Sequence, residues 1–294
     1  MEFLQYEFMQ RALIAAVLVG LTAPTVGVHL VQRRLSLIGD GLGHVALAGV
    51  AIGVLTRTAP VAMALVCALA GAVGIELIRA RGRTSGDVAL AILFYGGIAA
   101  GVVIISQAPG GTPGNLNAYL FGAITTTTAS DLVVFAVLAA FVLTVTLGLG
   151  RYLFAVSNDE EYAAAAGLPV LTINIVLAAV TAVTVVVSMR VVGLLLISAL
   201  MIVPVATAQL VARSFRATTV VAMIIGVAAA LAGVSTSFYS DTPSGGTIVL
   251  YAIGLFVVVA IGNALRSRRP SGLPAGRDDL GLDAGRSIPT GSHS

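Results

Sequence analysis

The chain has 294 residues, of which 58% are hydrophobic and only 10% are charged. A soluble domain carries about 25% charged residues, so these few charges cannot cover a water-soluble particle, and lipid must solvate much of its surface. All sixteen Lys and Arg residues are arginine, which excludes a P-loop, a protein-kinase site and a pyridoxal Schiff base, because each requires a lysine. The net charge of +3 is small and scattered, so nucleic acid is not an expected partner.

Apolar runs of spanning length fill most of the chain. A membrane-spanning helix needs roughly 20 apolar residues, and the runs predict an all-α, polytopic membrane protein with nine spans. Eight is the alternative count, because the two runs around Arg190 nearly touch. The nine predicted spans are Ala12–Val31, Leu35–Leu55, Pro60–Ile78, Val88–Gln107, Leu132–Gly150, Val170–Met189, Val191–Val211, Thr218–Ser237 and Thr247–Leu265.

The domain organisation follows from where these runs end. Residues 1–266 are predicted to form one transmembrane domain. Residues 267–294 are rich in Arg, Gly, Pro, Ser and Asp and have no apolar period, which predicts a disordered tail. Met1 to Gln10 has no basic segment ahead of the first apolar run, so no cleavable signal peptide is expected.

The distribution of arginine predicts the orientation in the membrane. Cytoplasmic loops carry an excess of Lys and Arg near the span ends, and alternate loops of this chain differ in arginine content. The richer set is predicted to be cytoplasmic, which places the N-terminus outside and the C-terminal tail in the cytoplasm. The richer set holds Arg33, Arg34, Arg79, Arg81, Arg83, Arg151, Arg213, Arg216, Arg266, Arg268 and Arg269, and the poorer set holds Arg11, Arg57 and Arg190.

Two loops contain elements too short to span. The outward loop carries a short apolar piece, Leu116–Ile124, predicted to lie at the outer surface or to dip into the protein. In the inward loop, residues 157–161 have the composition of a capped helix start, with acids in the first turn, and Gly167 is a typical helix stop. The predicted helix, residues 159–167, has a body of Tyr162 and four alanines, which is poor for membrane anchorage and suited to close protein contact.

Asp40 and His44 are the candidate metal ligands. They lie early in the second predicted span, and their spacing of four residues places them on one helical face. A carboxylate oxygen and an imidazole nitrogen together suit Zn²⁺, Mn²⁺ or Fe²⁺. A polar pair that hydrogen-bonds to itself near a helix start remains the alternative interpretation.

The other polar residues in or near the spans have structural interpretations. Glu76 stands three residues before Arg79, which predicts an ion pair, and His29 is predicted to be a hydrogen-bonded interior histidine. Asp87 and Asp131 follow Ser and Gly residues in the manner of helix caps.

Small residues and prolines in the spans indicate close packing or gating. Gly49 and Gly53 form a Gly-x-x-x-Gly motif that lets helices approach, either within the chain or in a dimer. Pro204 lies inside a span and removes a backbone donor there. Asp241 lies in an outward turn, where it is either a contact for a partner or an ordinary turn residue.

Five segments, in order, resemble the permease subunits of the zinc/manganese/iron ABC importers. The first run is the most specific, and the likeness extends over about residues 5 to 265. The segments are Arg33–Gly49, Asn117–Gly122, Asp159–Ala163 with Gly167, Leu196–Pro204, and Asp241-x-Pro243-Ser244-Gly245.

This resemblance implies a homodimer in the bacterial cytoplasmic membrane that receives a divalent metal from an extracytoplasmic binding protein. A separate ATPase is expected to dock on the short cytoplasmic helix, through residues that match the family's segment there: Asp159, Glu160, Glu161, Tyr162, Ala163 and Gly167. In the family the matching Asp and His hold the metal in the pathway, so the resemblance implies that role for Asp40 and His44. The metal is then a transient cargo, no permanently bound cofactor is expected, and the chain itself is not an enzyme. The chain departs from the family at Gly43, where a serine is common.

Two other functions remain open. One is a permease for an iron chelate or a vitamin, which would not need Asp40 and His44. The other is a secondary transporter or an intramembrane enzyme, which would need no ATPase.

Overall fold

The computed structural model describes residues 5–82, 86–107, 120–122, 128–189, 192–194 and 196–267, and within these residues it is helical without strands. The parts outside the described residues include most of the predicted piece Leu116–Ile124, Arg83, the side chain of Asp87, Arg190 and the predicted tail beyond its first residue, Ser267. The helices are α1 (Glu7–Gln32), α2 (Ile38–Leu55), α3 (Pro60–Ala80), α4 (Gly86–Ser106), α5 (Ala129–Gly148), α6 (Gly150–Asn158), α7 (Glu160–Ala165), α8 (Val170–Ser188), α9 (Ile197–Gln209), α10 (Phe215–Ser240) and α11 (Ser244–Ser267).

Eight of the described helices are long and apolar enough to cross a bilayer: α1 to α5, α8, α10 and α11. Helices are the expected spanning structure, because a helix satisfies its backbone hydrogen bonds internally and the hydrocarbon core offers no other hydrogen-bond partners. The predicted class, an all-α polytopic membrane protein, is confirmed. Eight of the nine predicted spans correspond to these helices, with ends that differ by a few residues.

The seventh predicted span, Val191–Val211, is present as a break followed by a shorter helix. Together they run from Val192, which contacts Gly245 at the start of α11, to Gln209, which lines a cavity with Gln32 at the end of α1. Helix α9 has 13 residues, which is about 20 Å at 1.5 Å per residue and less than the roughly 30 Å of a hydrocarbon core. Before it, Val192 to Leu194 are buried and non-helical, and Gly193 has φ +88°. Such backbone is tolerated at membrane depth where protein surrounds it. Pro204, in contrast, lies inside α9 without ending it.

Three separate segments meet tightly at what we call the glycine junction, formed by Phe121, Gly122, Val192, Gly193 and Gly245. A Cβ added at Gly193 would collide with the backbone of residues 120–122, and one added at Gly245 would collide with the carbonyl oxygen of Val192. The backbones therefore touch directly, which only glycine permits at these two positions. The junction joins the loop before α5, the break before α9 and the first turn of α11.

Helix α1 is the centre of the bundle. Most of its apolar segment is buried, and the helix packs against α5, α6, α8, α9 and α10. Its buried face consists largely of small residues, including Ala12, Ala16 and Ala23, so neighbouring helices approach closely. The C-terminal end of α1 therefore occupies a fixed position relative to most of the fold.

Helix α2 is held between α3 and α4 by glycines. A Cβ at Gly49 would lie 2.6 Å from Cα of Ala64, and one at Gly53 would lie 2.6 Å from Cα of Pro60. The sequence left open whether Gly49 and Gly53 contact a helix of the same chain or of a dimer partner. In the structure they contact α3 of the same chain. On the other side, a Cβ at Gly97 of α4 would lie 2.7 Å from the carbonyl carbon of His44.

Helices α4, α5 and α11 are the least covered of the spanning helices. Only 22% of the apolar segments of α4 and α5 and 17% of that of α11 are buried. Their exposed side chains are large and apolar, for example Ile92 and Tyr95 on α4 and Leu250 and Val258 on α11. Lipid or another protein chain must cover these surfaces, because such extended apolar patches are not stable in water.

Candidate functional site

Asp40 and His44 lie together in the first two turns of α2, as their spacing predicted. Both residues are half-buried, and their spacing of four residues places them on one helical face. The His44 ring meets Phe94 of α4 edge-on, with ring centroids 4.5 Å apart. The imidazole is therefore positioned by an aromatic neighbour on α4, while the carboxylate lies beside it on the same helical face.

The adjoining face of α2, one residue earlier in each turn, is closed by packing. A Cβ at Gly39 would lie 2.7 Å from Oγ of Ser198, and one at Gly43 would lie 3.3 Å from the carbonyl oxygen of Leu194. Gly43 therefore faces the break before α9. A serine at position 43 would place its hydroxyl next to that carbonyl, so the departure from the family affects the α2–α9 contact first.

One chain supplies only part of a metal coordination sphere. Within the described parts of the chain, no three His, Cys, Asp or Glu side chains come together as a possible metal site. If Asp40 and His44 bind a metal, they provide two ligands, whereas zinc in proteins takes four. Further ligands would then come from water, from backbone oxygens or from a second protein chain.

The predicted cytoplasmic helix corresponds to α7, and its start is built as predicted. Asp159 is the N-cap, and its carboxylate accepts a hydrogen bond of 2.9 Å from the backbone N–H of Tyr162. At the other end, Gly167 has φ +81°, and its N–H donates to the carbonyl of Ala164. The short helix is thus capped at both ends. It is preceded by α6, an amphipathic helix that the sequence pattern did not predict.

The exposure of α7 separates its residues into two groups. Tyr162 is 73% exposed, and Glu161 and Ala164 are exposed beside it, whereas Ala163 is fully buried. Ala163 therefore anchors the helix to the fold and is not available to a partner. The surface open to a partner includes Glu161, Tyr162 and Ala164.

Glu160 ties α7 to two spanning helices. Its carboxylate forms an ion pair with Arg33 at 3.2 Å and accepts a hydrogen bond of 2.8 Å from Asn174 of α8. Next to this contact, Gln32 donates to Asn158 at 3.1 Å. The contacts of Arg33 and Gln32 join residues more than 120 positions apart, so they were not visible in the sequence pattern.

Arg33 is the buried member of this group. Its side chain is only 4% exposed. Burial lowers the pKa of Arg33, and the nearby carboxylates of Glu76 and Glu160 oppose that shift. The predicted ion pair between Glu76 and Arg79 is present at 2.8 Å, with Glu76 almost fully buried. The ends of α1 and α3 and the start of α7 therefore share one group of charges, which we call the charge cluster: Arg33, Glu76, Arg79 and Glu160.

The turn between α1 and α2 connects the charge cluster to the candidate metal ligands. Arg34 adopts φ +58°, and the N–H of Leu35 donates to the carbonyl of Leu30 at 2.9 Å. Only residues 33–37 separate the two helices. Arg33 therefore lies seven positions before Asp40.

Glu160→Gln is expected to destabilise the protein by about 1 kcal/mol, because the Glu160 side chain is 48% exposed and solvent screens its pair with Arg33. The matched control is Glu161→Gln, which removes an exposed carboxylate from the same helical turn and hence a similar interaction with the helix dipole. Denaturation of the detergent-solubilised protein measures both. Equal losses of stability in the two variants would contradict the role of Glu160 as the tie to α1.

The remaining candidates have local explanations. Asp131 forms the predicted cap with Thr128 at the start of α5, through a reciprocal capping box. Asp241 ends α10 in a left-handed conformation, with φ 49°, and is exposed. His29 is buried as predicted, but its Nδ1 has no hydrogen-bond partner among the described residues.

The fold and these sites define a multi-pass α-helical membrane protein with a polar pair inside one of its spans. Residues 5–263 match the ABC 3 transport family. The chain belongs to this family, whose members are membrane permeases of ABC transporters.

Individual relatives are similar over most of their length. The manganese transport system membrane protein MntC of Halalkalibacterium halodurans is 32% identical over 87% of this chain and 88% of its own length. The chelated iron transport system membrane protein YfeD of Yersinia pestis is 31% identical over 89% and 87%. A solved structure, PsaBC from Streptococcus pneumoniae in complex with Fab, matches with a TM-score of 0.78 and 30% identity over 88% of this chain and 94% of the other.

Proposed function

We propose that the chain is the membrane-spanning subunit of an ATP-driven importer of divalent transition metal ions, zinc or manganese before iron. The observation that carries the proposal is the adjacent placement of Asp40 and His44 on one face of a spanning helix. Family membership and the manganese and iron named in the relatives' descriptions support the same class of cargo.

The chemistry of the pair supports a metal as cargo. An ionised carboxylate costs roughly 2.5–3.5 kcal/mol at the centre of a spanning helix, which is an upper bound for Asp40 in the first turn of α2. A bound divalent cation offsets this cost directly. Carboxylate oxygen and imidazole nitrogen are ligands that zinc, manganese and iron accept. The pair is half-buried, which fits a site that binds an ion and releases it again.

A second copy of the chain completes the site in this proposal. Two chains related by a two-fold axis would bring two carboxylates and two imidazoles together, enough for a four-coordinate ion. Helix α4, which packs directly on His44, has one of the most exposed apolar surfaces in the described parts of the chain, and so has α11. A homodimer formed through these helices would cover both surfaces and place the two pairs near the axis.

The proposed energy source is a separate ATPase subunit. The chain has no lysine for a P-loop, and α7 presents a capped, exposed surface beside the charge cluster. The arginine-rich loops, which include Arg33, Arg79 and Arg151, favour a cytoplasmic position for α7, at the inner membrane of a bacterium. On the opposite side, Asp241 and the loop around it are the proposed contact for a metal-delivering binding protein.

Uptake measurements test the proposed function. A strain that lacks the chain should lose uptake of one metal among radioactive zinc, manganese and iron, and the intact gene should restore it. A second strain without the partner ATPase should show the same loss. Unchanged uptake in the ATPase-deficient strain would favour a secondary transporter, and uptake of the metal only as a chelate would favour the chelate permease.

Ala164→Arg is expected to abolish co-purification of the ATPase subunit, because the long charged side chain would occupy the exposed surface of α7 next to Tyr162. The substitution should leave the fold intact, since Ala164 is exposed. Ala129→Arg is the matched control, because it makes the same change at an exposed alanine in the first turn of α5, away from α7. Normal co-purification with Ala164→Arg would show that α7 is not the docking surface.

A further inference from the structure

A cavity of about 850 Å³ lies away from Asp40 and His44, between α1, α5, α6 and α10. It is at the end of the bundle where α7 lies, because α6 directly precedes α7. Among the described residues that line it, none belongs to α2 or α4. The cavity is therefore a separate feature that the proposed metal pathway does not use.

One side of the cavity is cationic. Arg151 of α6 and Arg216 of α10 both line it and are both exposed. Neither guanidinium forms an ion pair with a described residue. Two such guanidinium groups at the rim of one cavity favour an anionic occupant, since arginine binds phosphate oxygens in a bidentate manner.

An unpartnered buried group faces the same cavity. His29 lines it, the residue is only 3% exposed, and its Nδ1 has no hydrogen-bond partner among the described residues. Buried polar atoms in folded proteins are nearly always paired. A polar group of a bound ligand would supply the missing partner once the His29 side chain turns its buried Nδ1 toward the cavity.

The other side of the cavity is apolar and continuous with the lipid-facing surface. Leu147 of α5 is 62% exposed and Val220 of α10 is 55% exposed, and both line the cavity. The cavity therefore opens sideways between these helices. Helix α6 at its edge is amphipathic, with Arg151 and Tyr152 exposed and Leu153 buried, as in helices at the membrane–water interface.

We propose that this cavity binds an anionic phospholipid from the leaflet on the α7 side. The phosphate lies between Arg151 and Arg216, a polar group of the lipid reaches His29, and an acyl chain occupies the apolar part. A water-soluble phosphate would satisfy only the arginines, whereas a phospholipid matches the cationic rim, the apolar lining and the sideways opening together. Basic pockets between spanning helices bind anionic headgroups for the same physical reason.

The test measures phosphatidylglycerol retained by the purified protein, with phosphatidylcholine as the neutral lipid, by native mass spectrometry. Arginine–phosphate contacts are charge-assisted and stronger than neutral hydrogen bonds, so the double variant Arg151→Gln/Arg216→Gln should retain phosphatidylglycerol at least about tenfold less well. The control variant Arg81→Gln/Arg213→Gln removes two exposed arginines outside the cavity and should retain it normally.

A second variant locates the acyl chain, and a competitor identifies the source of the phosphate. Thr219→Phe should reduce retention of the lipid by filling the cavity, while both arginines stay in place. Inorganic phosphate at millimolar concentration should not displace the lipid. Equal retention of the two lipids, full retention by either cavity variant, or displacement by inorganic phosphate would each overturn the proposal.

Discussion

Asp40→Asn and His44→Ala are each expected to abolish metal uptake while leaving expression and assembly with the ATPase intact. Each change removes one of the two ligands that a single chain contributes, and Asp40→Asn also removes the negative charge that attracts a cation. The loss of uptake with Asp40→Asn should therefore be at least as large as that with His44→Ala. Uptake of radioactive metal in a complemented deletion strain measures both variants.

Stability distinguishes a functional carboxylate from a structural one at this position. If Asp40 serves the metal, Asp40→Asn should leave the resting protein equally stable or more stable, because an ionised carboxylate in a spanning helix is costly. The cost at a helix centre, roughly 2.5–3.5 kcal/mol, is an upper bound for Asp40, which lies in the first turn of α2. A structural carboxylate would produce a loss of stability instead. Glu7→Gln is the control, since it neutralises an exposed carboxylate in the first turn of α1 that pairs with Arg11. Normal uptake by both site variants would show that Asp40 and His44 are structural.

Gly245→Ala is expected to prevent stable folding. The added Cβ would overlap the carbonyl oxygen of Val192 and lie 2.7 Å from that of Phe121. Both atoms belong to backbone that cannot rotate away as a side chain can. Overpacking in a core typically costs about 1–3 kcal/mol, and a collision with fixed backbone at the glycine junction should cost more than that.

The neighbouring residue provides a matched control. Gly246 lies in the same helical turn, but a Cβ there has no atom within 4 Å. Gly246→Ala should be neutral or slightly stabilising, since alanine favours a helix over glycine by up to about 1 kcal/mol. Size-exclusion profiles and thermal melts in detergent compare the two variants. A Gly245→Ala protein as stable as Gly246→Ala would show that the three segments do not meet as described.

Hydropathy predicted most of the helical fold, because a span must be long and apolar whatever its neighbours are. It did not reveal the break within Val191–Val211, where the run is mostly apolar. The break there is determined by packing, since Gly193 adopts a left-handed conformation against Leu120 and Gly122. Hydropathy cannot detect such a contact, because it measures each residue's preference for lipid and not the path of the backbone.

The sequence predicted only the part of the candidate site that depends on local helix geometry. The spacing of Asp40 and His44 determines that they share a face, and this is a local property of a helix. The contact of His44 with Phe94 and the pair of Arg33 with Glu160 depend on which helices are neighbours. Likewise, the burial of Ala163 in α7 could not be predicted from a segment of four similar alanines.

The tight turn after α1 gives the chain a short mechanical connection between its two candidate sites. Residues 33–37 form a short, constrained turn, because the N–H of Leu35 donates a hydrogen bond to the carbonyl of Leu30 and α2 begins at Ile38. A displacement of α7 that pulls on Arg33 would be passed along the covalent backbone into the tilt of α2, and so to Asp40. Release of an ion would then require no conformational change to spread across the helix bundle. The stiffness of this short connection would determine how closely ion release follows the movement of α7.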